Sequence, residues 1–293
     1  MIVHLLDGTY ELFRHFYGLR RVKGQADPPL GAVAGMLGTC IQMLTEGATH
    51  IGVATDHVIE SFRNDLYDGY KTGDGIDPAL WAQFHPLEEA LTAMGVATWP
   101  MVDLEADDGL ASAAHLASFD QRVEKICIWT PDKDLAQCVV GDRIVQVDRR
   151  SGQVRNADAI KAKYGVAPLY IADYLALVGD TADGYPGIAG IGAKTAALLV
   201  NRHGHIEEFP ADVLGSNLEP ALLYKKLATL RTDAPLFANI DALQWTGSTP
   251  AFTAWAERIG DARLATKLRD LEAKRANSSA GIGALTPPAE ARP

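Results

Sequence analysis

The chain has 293 residues, 47% of them hydrophobic and 22% charged, with a formal charge of −10. That length can bury one large core or two smaller ones; no apolar run is long enough to span a bilayer, and the first residues lack the basic stretch of a secretory signal, so a cytoplasmic protein without membrane contact is expected. Cys40, Cys127 and Cys138 have neither zinc spacing nor an even count, which excludes a disulfide framework.

The acidic excess lies wholly in residues 1–150, and residues 151–293 are balanced. A polyanionic partner must then be held by local basic patches, and bound divalent cations would offset the acids. In chain order, Ile2 to Leu6 reads as a buried strand ending on Asp7, followed by a helix from about Tyr10 to Leu19 that carries Arg14. Residues 20–29 are basic and then Pro-rich, a loop. Leu30 to Leu44 reads as a packed helix, and His50 to Thr55 as a second strand ending on Asp56. Residues 61–77 are polar, Gly-punctuated and aromatic, an excursion from the sheet holding Arg63, Tyr67, Tyr70 and Lys71. Pro78 to Met94 has helical periodicity, and Val96 to Trp99 is a weak strand.

Leu104-Glu105-Ala106-Asp107-Asp108 opens the next helix, which runs to about Phe119. Its three carboxylates cluster at the positive end of a helix dipole, a poor core and a good cation holder. Lys125 to Trp129 is the strongest strand and runs into Asp132-Lys133-Asp134; Ile144 to Val147 is a fifth. Strands alternating with helices, with acids at the strand ends, predict an α/β fold with an open, mostly parallel sheet whose site lies beyond the strands' carboxyl ends. After about residue 165 the pattern is helical: 169–178 ending on Gly179-Asp180, then Asp183 and a Gly-rich turn, a helix over 193–201, and further helices at 219–231 and 251–273. Residues 276–293 read as a disordered tail.

Nine acids recur after apolar runs: Asp7, Asp56, Glu105, Asp107, Asp108, Asp132, Asp134, Asp180 and Asp183. Converged without cations they would repel one another. Oxygen-only ligands select Mg²⁺ or Mn²⁺ over Zn²⁺, and two such ions clamp the attacking and leaving oxygens of a phosphoryl displacement. Gly187, Gly190 and Gly192 place backbone N–H groups at the start of the 193–201 helix, with Lys194 adding charge; taken alone this reads equally as a tight structural turn or a phosphate-binding one, and beside the acids it points to a grip on a DNA backbone.

The motifs LLDGTYELFR, Asp56 followed by SFR, YK at 70–71, EADD at 105–108, DKD at 132–134 and GDTADGYPGIAGIGAKTA at 179–196 resemble the 5′-nuclease superfamily, the flap endonucleases and the 5′→3′ exonuclease domain of bacterial DNA polymerase I. The resemblance covers about residues 1–275. It implies a PIN-like (resolvase-like) metal-dependent domain over 1–165 with a helical arch near 61–95, and a helix–three-turn–helix DNA-binding domain over 166–275. It assigns Asp7, Asp56, Glu105, Asp107 and Asp134 to one Mg²⁺ and Asp132, Asp134, Asp180 and Asp183 to the other, with Mn²⁺ able to substitute and Asp108 outside the direct ligands. Arg63 and Lys71 would contact the scissile phosphate. Tyr67 and Tyr70 would stack on an unpaired base. Arg14, Lys194, Thr195 and the three glycines would face DNA, and backbone carbonyls near them would hold K⁺. The partners implied are branched, flapped or nicked duplex DNA and RNA–DNA primers, cut by a monomeric, stand-alone, nucleoid-associated enzyme in replication or repair.

Two departures stand out. Pro131 replaces the Gly usual before DKD, and Thr72-Gly73-Asp74-Gly75 makes the arch less basic. Two other readings compete: a junction-binding protein with weak catalysis, and a haloacid dehalogenase-type phosphohydrolase, suggested by Asp7-Gly8-Thr9. The second needs a nucleophilic Asp where Leu5 stands.

Overall fold

The computed structural model describes residues 1–19 and 28–283. Most of the expected loop at 20–29 therefore lies outside the described residues. Six strands form one sheet: β1 (Ile2–Asp7), β2 (His50–Asp56), β3 (Ala97–Met101), β4 (Lys125–Trp129), β5 (Ile144–Asp148) and β6 (Gln153–Arg155). Their order is β3-β2-β1-β4-β5-β6. The first five are mutually parallel and β6 runs antiparallel to β5. Leu5 pairs with Gly52 on one side and Ile128 on the other. The strand order reverses between β1 and β4, so a crevice opens beyond their carboxyl ends.

Alternation along β1 explains the two layers that cover the sheet. Leu6, with Ile51 and Val53 of β2, packs under α1 (Gly8–Leu19), α2 (Gly31–Thr45) and α4 (Phe84–Ala93), which follows the single turn α3 (Pro78–Trp81). Val3 and Leu5, with Ile126 and Ile128, pack against Leu110 and Ala114 of α5 (Ala106–Ser118). A third cluster joins α6 (Ala157–Tyr164), α7 (Ile171–Val178), α8 (Ala193–His203), α9 (Ala211–Leu214) and α10 (Leu218–Ala228) through Ile160, Leu175, Leu177, Val200, Leu214 and Leu227. No helix among the described residues is long and apolar enough to cross a membrane.

Several expectations change. The helix expected over 78–94 is broken between Trp81 and Phe84, and that over 251–273 is split by Gly260 (φ +75°) into α11 (Phe252–Ile259) and α12 (Ala262–Gly283). β6 and α6 had no counterpart in the reading. The α6 helix is short but well capped, by Asn156, whose side chain accepts from the Ala159 N–H, and by Gly165. Residues 276–283 are helical rather than a tail, because they continue a helix already anchored by Leu264, Leu268 and Leu271; residues 284–293 lie outside the described residues.

The expected helical domain over 166–275 is not one packing unit. Beyond Ala228 the chain returns to the sheet, where Leu230, Ile240 and Leu243 join the α5 layer and Phe252, Leu268 and Leu271 join α2 and α4. The Trp245 indole donates to Met94 O at 2.9 Å, and Arg275 donates to Leu44 O and Ala48 O. The segment 61–77 has turns and no helix. It is tied down at Phe62 N to Asp103 O (3.0 Å) and Lys71 N to Asp183 O (3.0 Å).

Candidate metal centre and nucleic-acid face

Each acid is positioned by a chain reversal at the open end of the sheet. Asp7 ends β1; its Oδ1 accepts from the Tyr10 N–H at 2.8 Å and its Oδ2 from the Thr130 hydroxyl at 3.1 Å. Gly8 follows because α1 presses on β2 there: a Cβ would stand 2.7 Å from both Thr55 Cγ2 and Val53 Cγ1. Asp56 ends β2; its N–H donates to Thr9 Oγ1 (2.8 Å) and its Oδ1 accepts from Ala106 N (2.7 Å). Glu105 is the N-cap of α5, and Asp107 and Asp108 lie in its first turn. Asp132 and Asp134 leave β4, with Asp134 N donating to Asp132 Oδ1 at 2.9 Å.

Asp180 and Asp183 come from the tight loop after α7, closed by Asp180 N to Tyr185 O (2.8 Å) and Gly184 N to Asp180 O (2.9 Å). Gly184 has φ +90°, and a Cβ on it would come 2.0 Å from Gly69 O. The loop thus seats directly against the 61–77 segment, which only a glycine permits.

Two groups of carboxylates emerge, in each of which oxygens lie within 4.8 Å of one another: Asp107, Asp132 and Asp134, and Asp134, Asp180 and Asp183. Asp134 is shared. The family resemblance groups Asp132 with the Asp180 loop, whereas the structure sets it beside Asp107. Asp7, Asp56 and Glu105 line an adjoining cleft of about 110 Å³ with Thr9, Tyr10, Lys71, Ala106, Asp107 and Asp132.

The electrostatics are those of a site built for cations. Burial first, then repulsion from Asp56 and Asp132, pushes the Asp7 carboxyl up to about 7. Burial and neighbouring acids raise Asp107 and Asp134 well above the ordinary carboxylate range, and raise Asp56 and Asp183 too. Glu105 is the exception: burial pushes it up, but Lys71 and Arg63 more than offset this and hold it low. Asp134 Oδ1 is buried without a hydrogen-bond partner. An unpaired buried carboxylate oxygen is costly unless a cation satisfies it. The donor set, all carboxylate with no His or Cys, fits hard divalent ions.

Lys71 Nζ bridges Glu105 (2.8 Å) and Asp183 (3.0 Å) and is one-third exposed, so it faces the cleft. Lys133, unassigned by the sequence reading, pairs with Asp180. Its place between Asp132 and Asp134 was the only signal in the sequence. Tyr10 and Thr9 were also missed as cleft residues.

Three placements differ from expectation, and Asp108 keeps to its own. Asp108 is fully buried and paired bidentately with Arg63 (2.7 and 2.8 Å), and it also accepts from Glu105 N (3.0 Å) and Arg231 N (2.8 Å), so it braces the helix start and lies outside both carboxylate groups. Arg63 is 1% exposed; its other donors go to Leu227 O (2.7 Å) and Thr229 O (3.2 Å), and its Nη1 also faces Glu105 Oε1 at 3.3 Å, so the guanidinium is spent on buried partners. Tyr70 is buried in the helical core and cannot stack on a base. The Arg14 guanidinium is committed to Glu11 (2.5 and 3.0 Å). Tyr67 is half-buried, with its ring edge-on to Tyr224 at 5.9 Å. Gly190, Gly192, Lys194 and Thr195 are exposed and Gly187 is buried; Gly192 is the N-cap of α8, with no side-chain cap on the helix N–H groups.

Residues 2–165 match the model of the 5′-3′ exonuclease N-terminal resolvase-like domain, and residues 166–251 that of the 5′-3′ exonuclease C-terminal SAM fold. The chain belongs to the 5′-3′ exonuclease family. A 5′-3′ exonuclease of Buchnera aphidicola subsp. Acyrthosiphon pisum is 30% identical over 80% of this chain and 88% of its own length. The thermostable DNA polymerase I of Thermus aquaticus is 34% identical over 80% of this chain, and the DNA polymerase I of Rhizobium leguminosarum 32% over 82%. The chain spans only 29% and 25% of the length of these two polymerases, respectively. Among solved structures, T5 5′-exonuclease with bound zinc superposes with a TM-score of 0.63 at 16% identity, covering 92% of this chain and 98% of that one. The catalytic core of Rad2 in complex with DNA substrate gives 0.54 at 14%, covering 92% and 91%. This 5′-3′ exonuclease family member therefore has the T5 exonuclease fold.

Proposed function

We propose that this 5′-3′ exonuclease family member is a Mg²⁺-dependent, structure-specific nuclease that cuts a DNA phosphodiester near a junction of single and double strands. The observation that carries the reading is the pair of carboxylate groups sharing Asp134, assembled from β4, α5 and the loop after α7. Asp107, Asp132 and Asp134 would hold one cation and Asp134, Asp180 and Asp183 a second, with Asp7, Asp56 and Glu105 lining the adjoining cleft. Bound there, two divalent ions supply charge neutralisation for the attacking and leaving oxygens of an in-line displacement.

The chain's own residues do the rest. Lys71, already facing the cleft, is placed to donate to a phosphate oxygen as charge builds on it. The uncapped start of α8, with Gly190, Gly192, Lys194 and Thr195, presents N–H donors and one ammonium to a duplex backbone, and the nearby carbonyls offer a K⁺ site. Water attacks phosphorus, the P–O3′ bond breaks, and the products carry a 5′-phosphate and a 3′-hydroxyl. The buried Arg63–Asp108 pair positions this machinery without touching the substrate. Domain roles follow: 1–165 supplies most of the acids, and the region after 166 supplies Asp180, Asp183 and the duplex grip. Flapped, nicked and RNA-primed duplexes are the substrates proposed for a monomeric cytoplasmic enzyme.

The test is a 5′-labelled flap duplex incubated with the protein in Mg²⁺ or in EDTA. A cut next to the junction in Mg²⁺ alone supports the reading. Junction binding without a cut favours the competing view of a non-catalytic junction-binding protein.

A further inference from the structure

The two carboxylate groups differ in what already sits on them. Among the described residues, no ion pair reaches Asp107 or Asp132, while both acids unique to the second group carry an ammonium: Lys133 on Asp180 and Lys71 on Asp183. Both Asp180 oxygens are already engaged, Oδ1 by the Ala182 N–H at 3.0 Å and Oδ2 by Lys133, so a cation must share or displace these donors. Lys71 is anchored a second time on Glu105. Among the described residues Lys133 pairs with Asp180 alone, and it is 34% exposed, so its head can leave for water.

We propose that Lys133 is an internal cation that competes with the divalent ion for the Asp134–Asp180–Asp183 group and sets the concentration at which that group fills. The inference rests on the two-cation reading above. A unit positive charge on one ligand both occupies an oxygen and repels an incoming cation, so this group fills at a higher concentration than Asp107–Asp132–Asp134. Lys133 lies between two of the acids in sequence, yet it reaches from the exit of β4 to the exit of α7. It thereby also neutralises the loop when no cation is bound.

The experiment is calorimetric titration of the full chain with Mn²⁺ in the absence of DNA, so the readout is independent of cleavage. Two binding events are expected, with Asp180→Asn removing the weaker. Lys133→Met is expected to tighten the weaker event about tenfold and leave the tighter one unmoved. Lys133→Arg, which keeps the charge, should stay near the parent protein. Lys133→Gln is titrated alongside as a second neutral variant, with circular dichroism checking that each is folded. If both neutral variants leave the weaker event unchanged or weaken it, Lys133 does not compete and the inference is overturned. If the parent protein binds no Mn²⁺, the two-cation reading fails, and this inference with it.

Discussion

Replacing Arg63 with methionine separates a buried brace from a phosphate ligand. The guanidinium is 1% exposed, donates twice to Asp108, once to Leu227 O and once to Thr229 O, and lies 3.3 Å from Glu105, which keeps Lys71 as a partner. Methionine keeps the length and apolar stem but strands a carboxylate that is fully buried. Breaking one side of a buried ion pair costs about 3–5 kcal/mol. Each carbonyl bond adds about 1 kcal/mol, part of which methionine packing restores, so about 4 kcal/mol is expected. With a urea slope of about 3 kcal/mol/M, the unfolding midpoint should fall by about 1.3 M at constant slope. Asp108→Asn removes the stranded charge, so the double variant should recover about 2 kcal/mol relative to the sum of the single losses. Urea unfolding followed by circular dichroism in EDTA measures all three. A midpoint within about 0.2 M of the parent, joined to a hundredfold or so loss of flap cleavage, would refute the brace and return Arg63 to the substrate.

Other outcomes follow from the same geometry. Asp134→Asn should abolish cleavage while leaving the metal-free protein at least as stable as the parent, because it removes a buried carboxylate whose Oδ1 has no partner. Thermal melts in EDTA and in Mn²⁺ check this: the parent gains stability from the ion and the variant loses most of that gain. Lys194→Ala should weaken duplex binding evenly across sequences and reduce the salt slope by about 1, read by anisotropy over a salt series.

His15 predicts a pH dependence. Burial, then Arg14 and Arg149, lower its imidazole to about 4. Arg14 donates to Nε2 at 2.9 Å, so the neutral ring is the one that fits. The nearby Glu11 carboxylate, 3.6 Å away, is already taken by Arg14. The unfolded chain binds this proton near 6.5, so stability should fall between about pH 6.5 and pH 4 by roughly 2–3 kcal/mol. His15→Gln should flatten that part of the urea-midpoint profile, and an unchanged slope would place the loss elsewhere.

Much of this protein was legible in the chain itself. The five parallel strands announce themselves as β-branched or apolar runs, because both faces of the sheet are buried. Their terminal acids are visible because a parallel sheet delivers every strand's carboxyl end to the same edge. The Gly-rich turn before α8 is likewise a local signal, since positive φ at Gly187 and Gly190 needs glycine. Tertiary structure alone decided how the acids are shared. That Asp132 joins Asp107, that Asp108 faces Arg63, and that Tyr70 lies in the helical core depend on which surface each side chain meets across the fold. Arg63 and Asp108 are 45 positions apart, and Arg63 and Leu227 are 164 apart. A residue type cannot say whether its charge goes to a buried partner or to a substrate. The partner comes from a distant segment, brought in when the chain after α10 returns to the sheet, and the energy of burying that segment's apolar face decides the pairing.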